Sequence, residues 1–572
     1  MATWSLAVLL GGTDITARLV GELDIDAERG AARVCGLYYR PAGSVAPRDL
    51  EGLTLTIDLT TNTAGTVRRF TGRVFRVKAN SESGVVYVMG QDSLKAQANG
   101  ATLATLQTWC PLGLYHEAVF GPRTTGWNQL RDLASTSGGT VECGPTDAPR
   151  ANPLRVTGPA DLTYTKYLAG SLEEGSLDLD GLVNSCVITF AWRHTRLWSR
   201  PHTLAWNWGI EWCDLVYGGE AYWQNQWLLP QVSEVQSFDG KAGWSFQTSR
   251  QLSGGDPLGP GFNGEYLPVS DNYDCGNGPF VWINKEEDSP QSLTRFGVRL
   301  ERRGVQAVTR TYTLTLACAA SIARYGTRTA TDQASGETPY DPAGWVESQG
   351  SGVPADGVSG WANNGIGDRQ LDVVDEADMD AAMRCILQHR RDAMRASHRR
   401  PLAWVVPLAL ECELTSTVTL DSARVSAGPG RVHRITDRLT FPSSGNGYQG
   451  RAVTRIELHL SRSQYGTQTD DALDPPAAPA TLPTHTPHAS TTNLANHIGN
   501  WSGAPAWNDE GMIGWRANRL TYTGGGTPNP YPSTGFNFDL PDIEEEMTNE
   551  VLGTTAATYA VAIDHETLTG GD

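Results

Sequence analysis

Between residues 53 and 59 the chain alternates without a break. Leu53, Leu55, Ile57 and Leu59 are apolar, and Thr54, Thr56 and Asp58 are polar. A period of two belongs to a β-strand with one buried face; a helix would scatter these side chains around its axis. Similar runs predict strands over 15–20, 22–26, 33–40, 68–78 and 84–91. Turn sequences separate them, among them Glu28-Arg-Gly30, Pro41-Ala-Gly43, Asn62-Thr-Ala-Gly65 and Asn80-Ser-Glu-Ser-Gly84. Closely spaced strands of this kind make residues 1–98 a small β-barrel or sandwich.

The whole chain has 572 residues, enough for several domains at about 100–200 residues each. Its 62 glycines and 32 prolines, with 19% charged residues, suit strands and turns. The net charge of −18 argues against tight wrapping of nucleic acid, which needs Lys and Arg on the phosphates. No apolar run reaches the roughly 18 residues that a spanning helix needs. The opening ten residues lack a basic leader and run into Gly11-Gly12, so no signal peptide is expected. Nine cysteines are scattered without a C-x-x-C pair, which predicts neither a disulfide framework nor a zinc site.

The middle of the chain suggests an internal duplication. Cys186-Val187, Arg200-Pro-His-Thr-Leu-Ala-Trp206, Val308-Thr-Arg310 and Tyr325-Gly-Thr327 recur in order as Cys385-Ile386, Arg400-Pro-Leu-Ala-Trp404, Val453-Thr-Arg455 and Tyr465-Gly-Thr467. In the second copy Met379, Met383, Ile386, Leu387 and Met394 fall on one helical face, with acids before and arginines after, as a helix dipole favours. By analogy the stretch around Cys186 is also assigned to a helix, since Leu182, Val183, Cys186, Val187, Phe190 and Leu197 fit the same period. A short helix is expected near 127–134.

The resulting fold class is mainly β with a few helices (α+β), internally duplicated. The expected divisions are 1–98, a mixed connection 99–176, a first repeat 177–330 with a Trp-rich insertion, a Gly/Pro-rich linker 331–371, a second repeat 372–467 and an extended tail 468–572. The tail is expected either to order against a partner or to be a loose surface extension.

Chemistry-bearing motifs are few. There is no phosphate-cradling loop, no nucleophile elbow and no H-E-x-x-H. No catalytic, cofactor-binding or metal-ligating residue is nominated, and no cofactor is expected. His485, His488 and His497 read as polar residues of a Pro/Thr-rich segment. The tryptophans stand out, with eight of 18 between residues 192 and 244. Trp198, Trp206, Trp208, Trp212, Trp223, Trp227 and Trp244 are the candidates for an interface or ligand-binding surface. Such rings fill a β core, anchor a partner or stack on sugars.

The stretches Gly12-Thr-Asp-Ile-Thr-Ala-Arg-Leu-Val-Gly-Glu-Leu-Asp-Ile-Asp26, Gly30-Ala-Ala-Arg-Val34, Leu53-Thr-Leu-Thr-Ile-Asp58 and Phe70-Thr-Gly-Arg-Val74 resemble tail hub (baseplate hub) proteins of long-tailed bacteriophages. Gly428-Pro-Gly-Arg-Val-His-Arg-Ile-Thr-Asp437, on to Tyr465-Gly466, is similar to a second barrel region of that family. The resemblance covers about 1–98 and 370–467. It implies several tail-tube-like β-barrels and a homotrimer in the virion, at the tail tip, whose paired domains form a pseudo-sixfold ring. It implies as partners the distal tail and tube proteins, spike or fibre proteins and a tape-measure protein, with genomic DNA passing through the lumen without specific binding. No enzymatic activity is implied. Two other readings stand beside it: a Trp-rich receptor- or carbohydrate-binding adhesin, and a wall-degrading glycosidase, although no carboxylate pair is singled out by spacing.

Overall fold

The structure is a computed structural model. It describes residues 4–207, 245–249, 257–259, 262–268, 272–274, 279–281, 291–341, 362–363, 369–441, 451–461, 471–479, 491–493, 513–517, 534–538, 546–563 and 568–570, apart from 44, 63, 81, 155–158 and 424. The fold is mainly β with a few helices.

The alternating segments become strands Trp4–Leu10, Leu19–Glu28, Val34–Tyr39, Thr54–Thr61, Gly65–Asn80 and Val85–Gln91. Residues 16–18, expected in a strand, instead form a single tight turn. The Thr16 hydroxyl accepts from the Val8 amide, and the Thr16 amide donates to Asp14. Leu6, Val8, Leu23, Ile25, Leu55, Ile57, Leu59 and Val88 point into one core, so the sheet curls around its own apolar face. Gly72 lies where Gly65–Asn80 passes from Thr54–Thr61 to Val85–Gln91. A Cβ there would sit 2.3 Å from the Gln91 carbonyl oxygen, which only glycine avoids.

Helices Leu94–Gly100, Leu103–Trp109 and Gly126–Ser135 follow, with the hairpin Gly139–Cys143/Pro149–Pro153. The helix expected near 127–134 is therefore present, capped by the Thr125 side chain accepting from the Asn128 amide.

The stretch around Cys186 is not a helix. Ser185–Asn207 is one long strand, antiparallel to Gln291–Ala317. Cys186, Ile188, Phe190 and Trp192 are buried in alternation, and the β-branched and aromatic content suits it. Cys186 thus lies on a strand and Cys385 on a helix. The tryptophan motifs also differ in register: Arg455 pairs with Val405, next to Trp404, whereas Arg310 pairs with Trp192, far along the ladder from Trp206. Residues 331–337, expected within a linker, belong to the strand Thr329–Glu337, parallel to Ser185–Asn207.

The helix Glu376–Ser397 matches its expectation. The Asp375 side chain caps it by accepting from the Asp378 amide, and Met379, Met383, Ile386, Leu387 and Met394 are buried against Phe190, Tyr312 and Leu314. Its end is held by His398, whose Nδ1–H donates to the Met394 carbonyl at 2.8 Å while Nε2 lies 2.8 Å from the Ser321 hydroxyl. Burial lowers the His398 pKa from its usual value. Below about pH 6.5 the unfolded chain takes up a proton that the folded imidazole resists, so stability falls as the solution is acidified. Urea midpoints at pH 7 and pH 5 should therefore drop more for the wild type than for His398→Gln; equal drops would contradict this.

Parts of the tail region complete this second sheet. Glu546–Val551 and Thr555–Ala560 run parallel to Gln291–Ala317, and Tyr559, Val561 and Ile563 enter its core. Residues 546–563 of the tail thus pack against their own chain.

A seam between two β modules as the candidate functional site

Residues 399–461 contribute strands Arg399–Pro407, Thr417–Asp421, Val425–Phe441 and Ala452–Ser461. The third of these pairs antiparallel with Leu19–Glu28, from Arg434 opposite Glu28 to Phe441 opposite Gly21. Two β modules far apart in sequence are thereby fused into one 14-stranded sheet. Leu410 and Leu439 reach into the first module's core, and Ala27 into the second's.

Beneath the seam lies a buried ionic knot. The Arg69 side chain, 1% exposed, donates through Nε to Asp437 at 2.8 Å, and through one terminal nitrogen to Glu413 at 2.7 Å and the Cys412 carbonyl at 3.0 Å. Arg33 donates to Glu413 at 2.8 Å and to the Arg69 carbonyl at 2.9 Å. Arg29 reaches the Val432 carbonyl and the Asn152 side chain, and the Thr454 hydroxyl donates to Asp437. Burial alone would raise the Glu413 pKa; the Arg69 and Arg33 charges overcome it and hold the carboxyl below its usual value. At Glu142 burial wins: it outweighs the Asn152 hydrogen bond and the Arg150, Arg29 and Arg33 charges, and the pKa is raised.

The outer face of the seam carries a lattice of opposite charges. Asp26 takes a two-pronged contact from Arg434 at 2.9 and 2.7 Å, Asp24 pairs with Arg438 at 2.9 Å, and Glu173 with Arg455 at 2.7 Å. Exposed pairs of this kind add little stability but set register and suppress wrong pairings.

A second ionic group ties the other sheet together. Asp372 meets Arg196, His194 and Arg310, while Arg196 also reaches Glu550 and Arg310 reaches Glu376. Burial opposes the Asp372 charge, but His194 and Arg196 more than offset it and lower its pKa.

Of the aromatic candidates, Trp198 and Trp206 lie on the strand Ser185–Asn207, with backbones opposite Gly304 and Phe296. Trp208, Trp212, Trp223, Trp227 and Trp244 lie outside the described residues, as do His485, His488 and His497. Trp192 and Trp404 are core residues. Among the described residues, two groups with metal-ligand chemistry were not anticipated from the sequence: Asp92, Cys143 and Asp147, and His433, Glu457 and His459. The first is engaged in chain turns: Asp92 accepts from the Arg33 and Leu94 amides, and Asp147 from the Ser93 amide and hydroxyl. The only sequence signal for the second was Glu457-x-His459 on an alternating strand. Its partner is 24 residues away.

No protein-family model matches the chain, and no curated protein matches it. Solved structures similar to it include a tail protein from Neisseria meningitidis (9% identity, 80% of this chain and 96% of that one, TM-score 0.37). Another is the 43 kDa tail protein of a prophage from Shewanella oneidensis (9%, 79% and 97%, 0.34). A third is a chain of the Francisella PdpA-VgrG complex (7%, 82% and 55%, 0.30). At such scores these neighbours assign nothing to this chain.

Proposed function

We propose that this chain is a structural, non-enzymatic protein of a bacteriophage tail. It acts at the tail tip as a homotrimeric hub, joining the tail tube to the central spike or fibres and lining part of the channel through which DNA leaves. The observation that carries this reading is the fusion of two β modules, 4–91 and 399–461, into one continuous sheet. A chain with two such modules side by side supplies six of them from three copies. That is how a threefold assembly meets a sixfold tube. The same two regions carry the sequence resemblance to tail hub proteins.

The charge lattice supports the same role. With this face toward the channel, Arg434, Arg438 and Arg455 are already engaged by carboxylates, which leaves little free positive charge to hold phosphates.

Single-particle imaging of the purified full-length protein tests the proposal. The expected particle is a ring of three copies showing six similar β lobes around a DNA-wide opening. A compact monomer at micromolar concentration would overturn it.

A further inference from the structure

Beside the seam the outer face carries a group that the ion-pair lattice does not absorb. Val432 pairs with Leu458 and Arg434 with Glu457, so His433 is the extra residue of a β-bulge. The His433 ring stacks on His459, with centroids 3.5 Å apart and planes 15° from parallel. Glu457 and His459 are two apart on one strand and share a face, with Glu457 Oε1 3.1 Å from His459 Nε2. From the neighbouring module, Glu28 Oε1 comes within 3.6 Å of His433 Nε2. One ligand atom from each of His433, Glu457 and His459 lies within 4.8 Å of the others, and all three residues are half-buried.

Two imidazoles and one or two carboxylates are the donor set of zinc-class ions. We propose that His433, Glu457 and His459, with Glu28 from across the seam, form a binding site for a divalent transition-metal ion. Ligand atoms around a tetrahedral ion with bonds of about 2.0–2.1 Å stand about 3.3 Å apart, so the group needs only to close up. Closure splays the stacked rings, each turning its nitrogen toward the ion. Arg434 stands 4.0 Å from Glu28 but is committed to Asp26, and the two glutamates supply the negative charge that a cation needs. A bound ion would join Leu19–Glu28, Val425–Phe441 and Ala452–Ser461, stapling the two modules across their shared edge.

The test is zinc titration of chelator-treated full-length protein by calorimetry, alongside His433→Ala/His459→Ala and Glu28→Gln. Other cysteines and histidines can take zinc, so the difference between proteins is the readout. The wild type should bind one more equivalent than the double variant, and zinc should raise the unfolding midpoint more in the wild type. Glu28→Gln should keep that equivalent at an affinity lower by about 10–100-fold. Equal stoichiometry and equal zinc-induced shifts in wild type and double variant would overturn the site. Cobalt(II) checks the wild type without any variant. Visible absorption of a four-coordinate nitrogen and oxygen site is expected, whereas a thiolate charge-transfer band alone would move the ion to a cysteine and overturn the assignment.

Discussion

Replacing Arg69 with methionine should lower the stability of the sheet by about 3–5 kcal/mol, the cost of leaving a buried charge without its partner. Arg69 lies in the strand Gly65–Asn80 of the first module, but its carboxylate partners, Asp437 and Glu413, belong to the second. Asp437 is itself 1% exposed, so water cannot replace the guanidinium. Burial would lower the Arg69 pKa, yet the Asp437 and Glu413 charges raise it; neutralisation is no escape for the arginine. The effect should be shared. Urea unfolding followed through probes in residues 4–91 and in 399–461 should shift together. The double change Arg69→Met with Asp437→Asn should cost less than the sum of the single changes, because each removes the other's stranded partner. A loss below about 1 kcal/mol, the range of exposed pairs, would mean that the knot is wetter than its burial implies.

Trp404→Ala should cost about 3–5 kcal/mol, the range for emptying a large aromatic site in a core. Trp404 is fully buried among Leu402, Val406, Ile456 and Leu458, with the Tyr164 ring edge-on at 6.4 Å. Its indole nitrogen is buried with no hydrogen-bond partner. The side chain therefore acts through volume alone, and Trp404→Phe should recover most of the loss, since no bond disappears with the nitrogen. Trp192 is the contrast: its nitrogen donates to the half-buried Thr338 hydroxyl at 3.0 Å, so the same change to phenylalanine there deletes a hydrogen bond as well as volume. Comparing the two phenylalanine variants by thermal unfolding separates packing from hydrogen bonding. Equal losses at both positions would contradict the account.

The first module was legible because an antiparallel sheet with one wet face writes its burial into alternate residues, as at Leu55, Ile57 and Leu59. The helix Glu376–Ser397 was legible because its apolar stripe, acidic start and basic end agree. The segment at 185–197 misled because Cys186, Val187, Phe190 and Leu197 also fit a helical period. What decides it is pairing with residues more than a hundred positions later. The seam was invisible for the same reason. Asp26 and Arg434 are 408 residues apart, and neither belongs to any motif that names the other. Likewise, nothing local in 546–563 announces that it will add strands to a sheet begun at residue 185.

That long span has a consequence for synthesis. At about 5–20 residues per second, the roughly 400 residues between the two seam strands take on the order of 20–80 s to translate. During that interval Leu19–Glu28 has lost the ribosome's cover but not yet met its partner, and a bare strand edge invites pairing with other chains. Glu22, Asp24, Asp26 and Glu28 stand on every second residue of that strand. Before they greet the arginines of the second module, these four like charges guard the waiting edge, repelling the same strand on a neighbouring nascent chain.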